Sequence, residues 1–166
     1  MDLELVTGDI TQQQVDAIVN AANTAMRGGG GVDGAIHRAG GPAVLADCRV
    51  RFPHGLETGQ AGWTTAGDLP ATWVIHVVGP NYLAGQRDRD LLTSCYRNAL
   101  AVADTVRAVS IAFPLVSAGV YGWPLDDAAR AAVETLRATP TAVERCRLVA
   151  FGSPSYDALE RALTAS

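Results

Sequence analysis

Residues 15–23 read VDAIVNAAN and residues 28–38 read GGGGVDGAIHR, and these two stretches decide the fold. The first is an apolar, partly β-branched run that ends in small residues and two amides, the pattern of a buried strand. The second passes through four glycines into a short helical pattern. In α/β sheets ligands collect beyond the carboxyl ends of strands, and consecutive glycines let backbone N–H groups approach a phosphate. We therefore predict that residues 20–34 bind the phosphates of a nucleotide-like ligand.

The rest of the chain alternates short β-branched runs with stretches of helical period, which predicts an α/β domain with a mixed or mostly parallel sheet. Strands are predicted at residues 3–6, 17–20, 62–65, 73–78, 109–113 and 147–151. Helices are predicted from about residue 88 to 106, after Pro124, and after Ser153, which would be the N-cap with Pro154 at the first helical position. No repeat or linker divides the 166 residues, so we expect one domain spanning residues 1–166.

The charged residues exclude several kinds of chemistry. The chain contains no lysine, which removes Schiff-base catalysis and a Walker-type phosphate lysine, so phosphates must be held by backbone N–H groups and arginine. A formal net charge of -4 argues against strong binding to duplex nucleic acid or to an anionic membrane.

The three cysteines form no Cys-x-x-Cys pair, and no signal peptide or long apolar run is seen. We expect a soluble, cytoplasmic protein that needs no cofactor.

Two further segments follow predicted strands. Residues 114–122 read PLVSAGVYG and could form the second wall of a phosphate cradle, although an ordinary strand-to-helix connection would look similar. Residues 7–11 read TGDIT. Asp9 there could cap the helical turn around residues 12–14, or it could accept a hydrogen bond from an exocyclic amine such as that of adenine.

The side chains around the glycines allow several interpretations. Asp33 and His37 are four residues apart and share a helix face, but no further ligand cluster accompanies them, so we predict no metal. Ser117 lacks the Gly-x-Ser-x-Gly elbow of a hydrolase nucleophile. His76, inside VIHVV, is predicted to be a core histidine with a satisfied hydrogen bond. Arg27 could reach a phosphate, but a side chain pointing into water is favoured.

Together these residues resemble the macrodomain family, most closely its MacroD-type branch, which includes the bacterial O-acetyl-ADP-ribose deacetylases. The resemblance rests on blocks that occur in the family's order, which are GDIT at residues 8–11, VDAIVNAAN at 15–23, GGGGVDGAIHR at 28–38, AGDLP at 66–70, VIHVVGP at 74–80 and SAGVYG at 117–122. The chain departs from the family in having Ser117-Ala118-Gly119 where Ser-Thr-Gly is usual. The segment 152–157 also differs from the family's usual acidic loop.

The resemblance implies a three-layer α/β/α fold with ADP-ribose lying across the strand ends. Asp9 would bind the adenine amine, Ile10 would line the adenine pocket, and Phe151 would pack on the adenosine end. Asn23 would hydrogen-bond the distal ribose, Asp33 would be the catalytic carboxylate, and His37 would orient it. The backbone donors for the pyrophosphate and distal ribose would come from two loops, comprising Gly30, Gly31, Val32, Ser117, Ala118, Gly119, Val120 and Tyr121.

The chemistry implied is hydrolysis of an ester at the distal ribose, either an acetyl group or the acidic side chain of a mono-ADP-ribosylated protein. Either Asp33 activates the water, or the ligand's α-phosphate positions it while Asp33 assists at the ribose. The alternatives are a non-catalytic ADP-ribose reader, which would need neither Asn23 nor Asp33, and a phosphatase acting on ADP-ribose 1″-phosphate. The expected partners are ADP-ribose, its esters and modified proteins, bound by a monomer.

Overall fold

A computed structural model describes residues 1–165 and contains one six-stranded sheet. The strands are β1 (Asp2–Thr7), β2 (Ala17–Ala22), β3 (Ala61–Thr65), β4 (Trp73–Val78), β5 (Ser110–Phe113) and β6 (Arg145–Ala150). Their order across the sheet is β1-β6-β5-β2-β4-β3. Every neighbouring pair is parallel except β3 and β4, which are antiparallel at one edge. The mixed sheet predicted from the sequence is therefore confirmed.

Within residues 1–165, five α-helices cover the two faces of the sheet. They are α1 (Gly31–Gly40), α2 (Pro42–Arg51), α3 (Arg89–Thr105), α4 (Leu125–Ala138) and α5 (Ser153–Thr164). The first two pack on one face, and the other three pack on the opposite face over the larger apolar cluster. This arrangement confirms the three-layer α/β/α fold.

Strand β2 lies at the centre of the sheet and is buried on both faces. Ala17 and Val19 face the layer of α3, α4 and α5, while Ile18 faces α1 and packs against Ile36. A strand covered on both sides reads as a continuous apolar run instead of an alternating one. The next side chain on the α1 face is Asn20, which is fully buried and polar. This exception to the apolar pattern lies beside the glycine segment.

The structure corrects several predicted boundaries. Strand β2 continues two residues beyond the predicted end, to Ala22, and β6 spans Arg145–Ala150, so Phe151 lies outside the strand. Ser153 is the first residue of α5 and Gly152 is its N-cap, where we predicted Ser153 as the cap. Helix α2 was missed, because its apolar residues do not form one face: Val44 and Cys48 are buried but Val50 is exposed.

None of the helices in residues 1–165 is long and apolar enough to cross a membrane.

Candidate functional site

The predicted site segments lie side by side because each follows the carboxyl end of a parallel strand. Across the sheet, from β1 through β6 and β5 to β2, these segments come in the order Asp9, Phe151, residues 114–122 and residues 23–33. Neighbouring strands are about 4.8 Å apart, so three spacings span about 14 Å along this edge. The structure therefore provides an elongated site in which order across the sheet differs from order along the chain.

Asp33 and Asn23 converge on Gly29. A Cβ at Gly29 would lie 3.1 Å from Asp33 Oδ2 and 3.2 Å from Asn23 Nδ2, so both polar atoms lie against this glycine and a larger residue would press on them. Asn23 also holds the loop, because Nδ2 donates to the Gly28 carbonyl at 3.2 Å and Oδ1 accepts from the Met26 N–H at 3.3 Å. An amide nitrogen carries two hydrogens, so one donor of Asn23 remains for a ligand.

Two side chains flank the other oxygen of the Asp33 carboxylate. Asn20 Nδ2 donates to Asp33 Oδ1 at 2.8 Å, and His37 Nε2 lies 3.4 Å from the same atom. Asp33 itself is buried, with 4 % of its surface exposed. The i,i+4 spacing of Asp33 and His37 thus produces the predicted contact. Asn20 was predicted only as part of the 20–34 segment, with no role for its side chain, and the one signal for such a role was the additional amide in VNAAN.

Helix α1 presents an open N-terminus at the glycine segment. Its cap residue, Gly30, supplies no side-chain hydrogen bond, and the first intrahelical bond runs from the Gly34 N–H to the Gly30 carbonyl. The N–H groups of Gly31 and Val32 precede that bond, so the helix leaves them to a ligand. The positive end of the helix dipole adds to their attraction for an anion.

The loop after β5, residues 114–122, is the segment predicted to form the second wall of the phosphate site. Ser117 adopts a left-handed backbone with φ +66°, and its carbonyl accepts from the Trp123 N–H at 2.9 Å. Residues 1–165 form many backbone hydrogen bonds in turns and loops, but the N–H groups of Gly119, Val120 and Tyr121 donate in none of them. Ala118 is half-buried and its N–H donates to the Leu115 carbonyl, so it contributes no backbone donor to a ligand.

The described residues include two buried side-chain atoms without a hydrogen-bond partner, Asn20 Oδ1 and Ser117 Oγ. Both belong to segments of the predicted site. A Cβ on Gly79, which follows β4, would collide with Ser117 Oγ, so glycine makes room for this hydroxyl. Buried polar groups are nearly always paired, and unpaired ones concentrate at functional sites.

At the β1 end, Asp9 is the N-cap of a short 3-10 helix (Ile10–Gln12). Its Oδ1 accepts from the Thr11 N–H at 2.9 Å and from Thr11 Oγ1 at 2.7 Å. The capping prediction is correct, although the turn starts two residues earlier than expected. Both bonds use one carboxylate oxygen, so Oδ2 remains as an acceptor. Ile10 packs into the apolar cluster beneath α1 and is only 7 % exposed.

Phe151 directly follows β6 and leaves 87 % of its surface exposed. It lies between the Asp9 turn and the loop after β5, in the position that the strand order assigns to it. A large exposed aromatic side chain beside a row of polar loops offers a flat surface on which a ring can stack.

The Arg27 side chain has neither of the two predicted orientations, toward a phosphate or into water. Its guanidinium donates to four backbone carbonyls, two within the segment after β2 and two just past the end of α2 (Ala25, Met26, Phe52 and Pro53). Arg27 therefore neither points freely into water nor faces the open N-terminus of α1. It fastens the glycine segment to the end of α2.

Within residues 1–165 no group of three or more His, Cys, Asp or Glu side chains is placed to hold a metal ion.

His76 has the core position predicted for it. It is fully buried and its Nε2 lies 2.8 Å from Thr64 Oγ1, so the satisfied hydrogen bond is confirmed. Burial, followed by the nearby His37, lowers the pKa of His76 from 6.5 to about 3, which keeps the ring neutral at physiological pH.

This shift predicts a loss of stability in mild acid. Below pH 6.5 the unfolded chain takes up a proton at His76, whereas the folded chain does so only near pH 3. The free energy of unfolding therefore decreases as the pH falls through this window, with a limiting slope of about 1.4 kcal/mol per pH unit from this residue. Urea unfolding at pH 7 and pH 5 measures the effect. The His76→Asn variant should lose this part of the slope, and equal slopes in both proteins would contradict the prediction.

Comparison with known proteins shows which family the chain belongs to. The family model described as "Macro domain" matches residues 19–132. The chain is 57 % identical to a macro domain-containing protein of Streptomyces nogalater over 165 residues, 97 % of this chain and 91 % of that protein. It is 53 % identical to the O-acetyl-ADP-ribose deacetylase of Salmonella typhimurium over 137 residues, 81 % of this chain and 76 % of the relative.

Solved structures give the same result. The Trypanosoma brucei macrodomain in complex with ADP-ribose superposes with a TM-score of 0.88 at 42 % identity, covering 97 % of this chain and 68 % of that one. The Oceanobacillus iheyensis macrodomain with ADP superposes with a TM-score of 0.89 at 38 % identity, covering 98 % and 90 %. By sequence and by fold, the chain belongs to the macrodomain family.

Proposed function

We propose that residues 1–166 form a single macrodomain that binds ADP-ribose and hydrolyses esters of its distal ribose. The substrates would be O-acetyl-ADP-ribose and mono-ADP-ribose linked to acidic side chains of proteins. The names of two relatives support the deacetylase activity and the binding of ADP-ribose: the Salmonella typhimurium protein is an O-acetyl-ADP-ribose deacetylase, and the Trypanosoma brucei macrodomain was solved with ADP-ribose.

The order of the loops suits the parts of ADP-ribose. Asp9 Oδ2 would accept from the adenine amine and Phe151 would stack at the adenosine end. The pyrophosphate would lie between the two central loops, bound by the N–H groups of Gly31, Val32 and the 119–121 segment. The distal ribose would then reach Asn23 and Asp33. A site about 14 Å long matches an extended ligand with a nucleoside at one end and a second sugar at the other.

The single observation that carries the hydrolase proposal is that Asp33 Oδ2 and Asn23 Nδ2 both lie against Gly29, in the segment that leads into the open N-terminus of α1. A reader would need only the phosphate and adenine contacts. Here a carboxylate oxygen and an amide donor also lie together, against the glycine segment that leads into the phosphate donors. The amide donor can hold a ribose hydroxyl, and the carboxylate can accept a proton.

In the reaction, water attacks the ester carbonyl and the ribose oxygen leaves with a proton, which yields the free acid and ADP-ribose. Asp33 Oδ1 is already engaged by Asn20 and faced by His37, so Oδ2 is the oxygen that assists. It does so by accepting a proton from the water, or by holding the ribose while the ligand's α-phosphate positions the water. A carboxylate is a weak base, so most of the rate must come from positioning.

The test is to incubate the protein separately with O-acetyl-ADP-ribose and with a glutamate-linked mono-ADP-ribosylated protein, and to measure the release of ADP-ribose. We expect release from both. Release from neither, with ADP-ribose still binding by calorimetry, would overturn the hydrolase proposal in favour of a reader. Incubation with ADP-ribose 1″-phosphate, followed by measurement of inorganic phosphate, examines the phosphatase alternative.

Asp9 is expected to contribute to affinity at the adenine end. Asp9→Ala should weaken ADP-ribose binding about 10- to 100-fold, the effect of losing a hydrogen bond to a charged acceptor. Asp9→Asn is the matched variant: its amide oxygen can still cap the turn, but its NH₂ replaces the acceptor oxygen. Calorimetry should show similar weakening for both variants, with thermal stability better kept in Asp9→Asn. An unchanged dissociation constant in both would refute the adenine contact.

A further inference from the structure

A chain of buried polar side chains runs from the sheet to Asp33. It consists of Thr64 on β3, His76 on β4 and Asn20 on β2, all with no exposed surface. Asn20 and His76 are direct partners in the β2–β4 register, so their side chains are neighbours on the face that α1 covers. The residues before and after them on this face, Ile18 and Ala22, belong to two separate apolar clusters. The polar chain passes between these clusters.

The hydrogen-bond geometry assigns the protons of this chain. The Thr64 hydroxyl donates to the Thr65 carbonyl at 3.0 Å, which leaves Thr64 Oγ1 to accept from His76 Nε2–H at 2.8 Å. A neutral imidazole carries one N–H, so His76 Nδ1 is an acceptor. Asn20 Nδ2 lies 3.0 Å from this atom and 2.8 Å from Asp33 Oδ1. Both amide hydrogens of Asn20 are therefore committed to acceptors.

This arrangement permits one orientation of the Asn20 amide. Rotating it by 180° would place its oxygen against two other acceptors, His76 Nδ1 and Asp33 Oδ1. His76 must stay neutral to accept, and full burial of the ring favours its neutral form. Rotation of the Asp33 carboxylate about its Cβ–Cγ bond would break the hydrogen bond to Oδ1, so this bond keeps Oδ2 against Gly29.

We propose that Asn20, locked by His76 and Thr64, is a positioning residue that fixes the Asp33 carboxylate for the hydrolysis. The proposal rests on the proposed function. A network kept only for stability would be exchangeable, since replacing buried polar partners by apolar groups of similar shape is often nearly neutral. A positioning network must lose turnover when its polar atoms are removed, even where the fold and the ligand affinity survive.

The first test is Asn20→Leu, which keeps the volume and removes both donors. We expect kcat for O-acetyl-ADP-ribose to fall about 10- to 100-fold, the effect of misplacing a reacting group by about 1 Å. The dissociation constant for ADP-ribose should change less than about threefold, because the phosphate donors belong to other loops. The matched control is Asn98→Leu on α3, which removes a hydrogen bond from an asparagine side chain to the Gly59 carbonyl on the opposite face of the sheet. Its kcat should equal that of the wild type.

A second pair of variants keeps the proposal testable if Asn20→Leu does not fold. His76→Asn can retain an acceptor oxygen near the Nδ1 position, whereas His76→Leu cannot. Per folded molecule, His76→Asn should keep most of the turnover and His76→Leu should lose it. A purely structural role predicts that kcat, affinity and melting temperature fall together and that His76→Asn is no better than His76→Leu.

The outcomes separate the two proposals. If the wild type releases no ADP-ribose, the proposed function fails and this inference fails with it. If the wild type is active, two results would overturn the inference alone: full kcat in Asn20→Leu, or equal kcat in the two His76 variants.

Discussion

Replacing Asp33 by alanine is expected to abolish the release of ADP-ribose from a glutamate-linked substrate while ADP-ribose still binds. Among residues 1–165, Asp33 is the one acidic residue that lies against Gly29 beside Asn23, and general-base assistance is worth about 10²- to 10⁴-fold in rate. The phosphates would be held by backbone N–H groups that the substitution leaves in place. Single-turnover release measures the first effect, and calorimetry with ADP-ribose measures the second.

The matched control for Asp33→Ala is Asp126→Ala. Asp126 is also an acidic residue in the first turn of a helix, but α4 packs on the opposite face of the sheet, and the Asp126 ion pair with Arg161 is exposed. This control should keep full turnover. Turnover by Asp33→Ala at the wild-type rate would remove Asp33 from the mechanism. Loss of both turnover and binding would mean that Asp33 holds the loop instead of acting on the substrate.

Gly34→Ala is expected to disrupt binding and turnover together. Within helices, replacing glycine by alanine normally stabilises the protein by about 0.5–1 kcal/mol. Here a Cβ would lie 2.5 Å from the Gly29 carbonyl oxygen, so either helix α1 or the glycine segment must shift. Overpacking of this kind costs about 1–3 kcal/mol and outweighs the gain in helix propensity. We expect a lower melting temperature and at least about a tenfold loss of turnover.

Gly30→Ala provides the comparison for stability. Gly30 has φ −93°, and a Cβ added there would have no atom within 4 Å. The melting temperature of the Gly30→Ala variant should therefore stay near that of the wild type. Differential scanning calorimetry on the two variants separates the steric effect from the loss of a glycine as such. A higher melting temperature in Gly34→Ala, with ADP-ribose affinity unchanged, would show that the contact with Gly29 does not constrain the segment.

The sequence predicted the parts of the site that depend on local pattern. Glycines before a helix, an acidic residue four positions before a histidine, and Asp9 as a cap all follow from short-range chemistry, and the structure contains each of them. The mixed sheet followed from alternating strands and helices. These features needed no knowledge of which strands are neighbours.

The features that the sequence did not predict depend on register across the sheet. Asn20 is 56 positions before His76, and only the pairing of β2 with β4 brings the two side chains together. The hydrogen bonds of Arg27 could not be predicted from neighbouring residues either, because two of its carbonyl acceptors lie about 25 residues away, past the end of α2. Helix α2 shows no clear apolar face, so periodicity could not detect it.

The place of β6 between β1 and β5 links ligand binding to the synthesis of the sixth strand. During synthesis β1 emerges before the other five strands, but its parallel neighbour is formed only by residues 145–150. Until β6 inserts, the Asp9 turn has no partner strand and Phe151 is absent from the row of loops. Such long-range pairing is a slow step in folding, because the loop must close before the contacts form. A growing or truncated chain that stops before residue 145 would therefore contain the phosphate loops but no complete adenosine end.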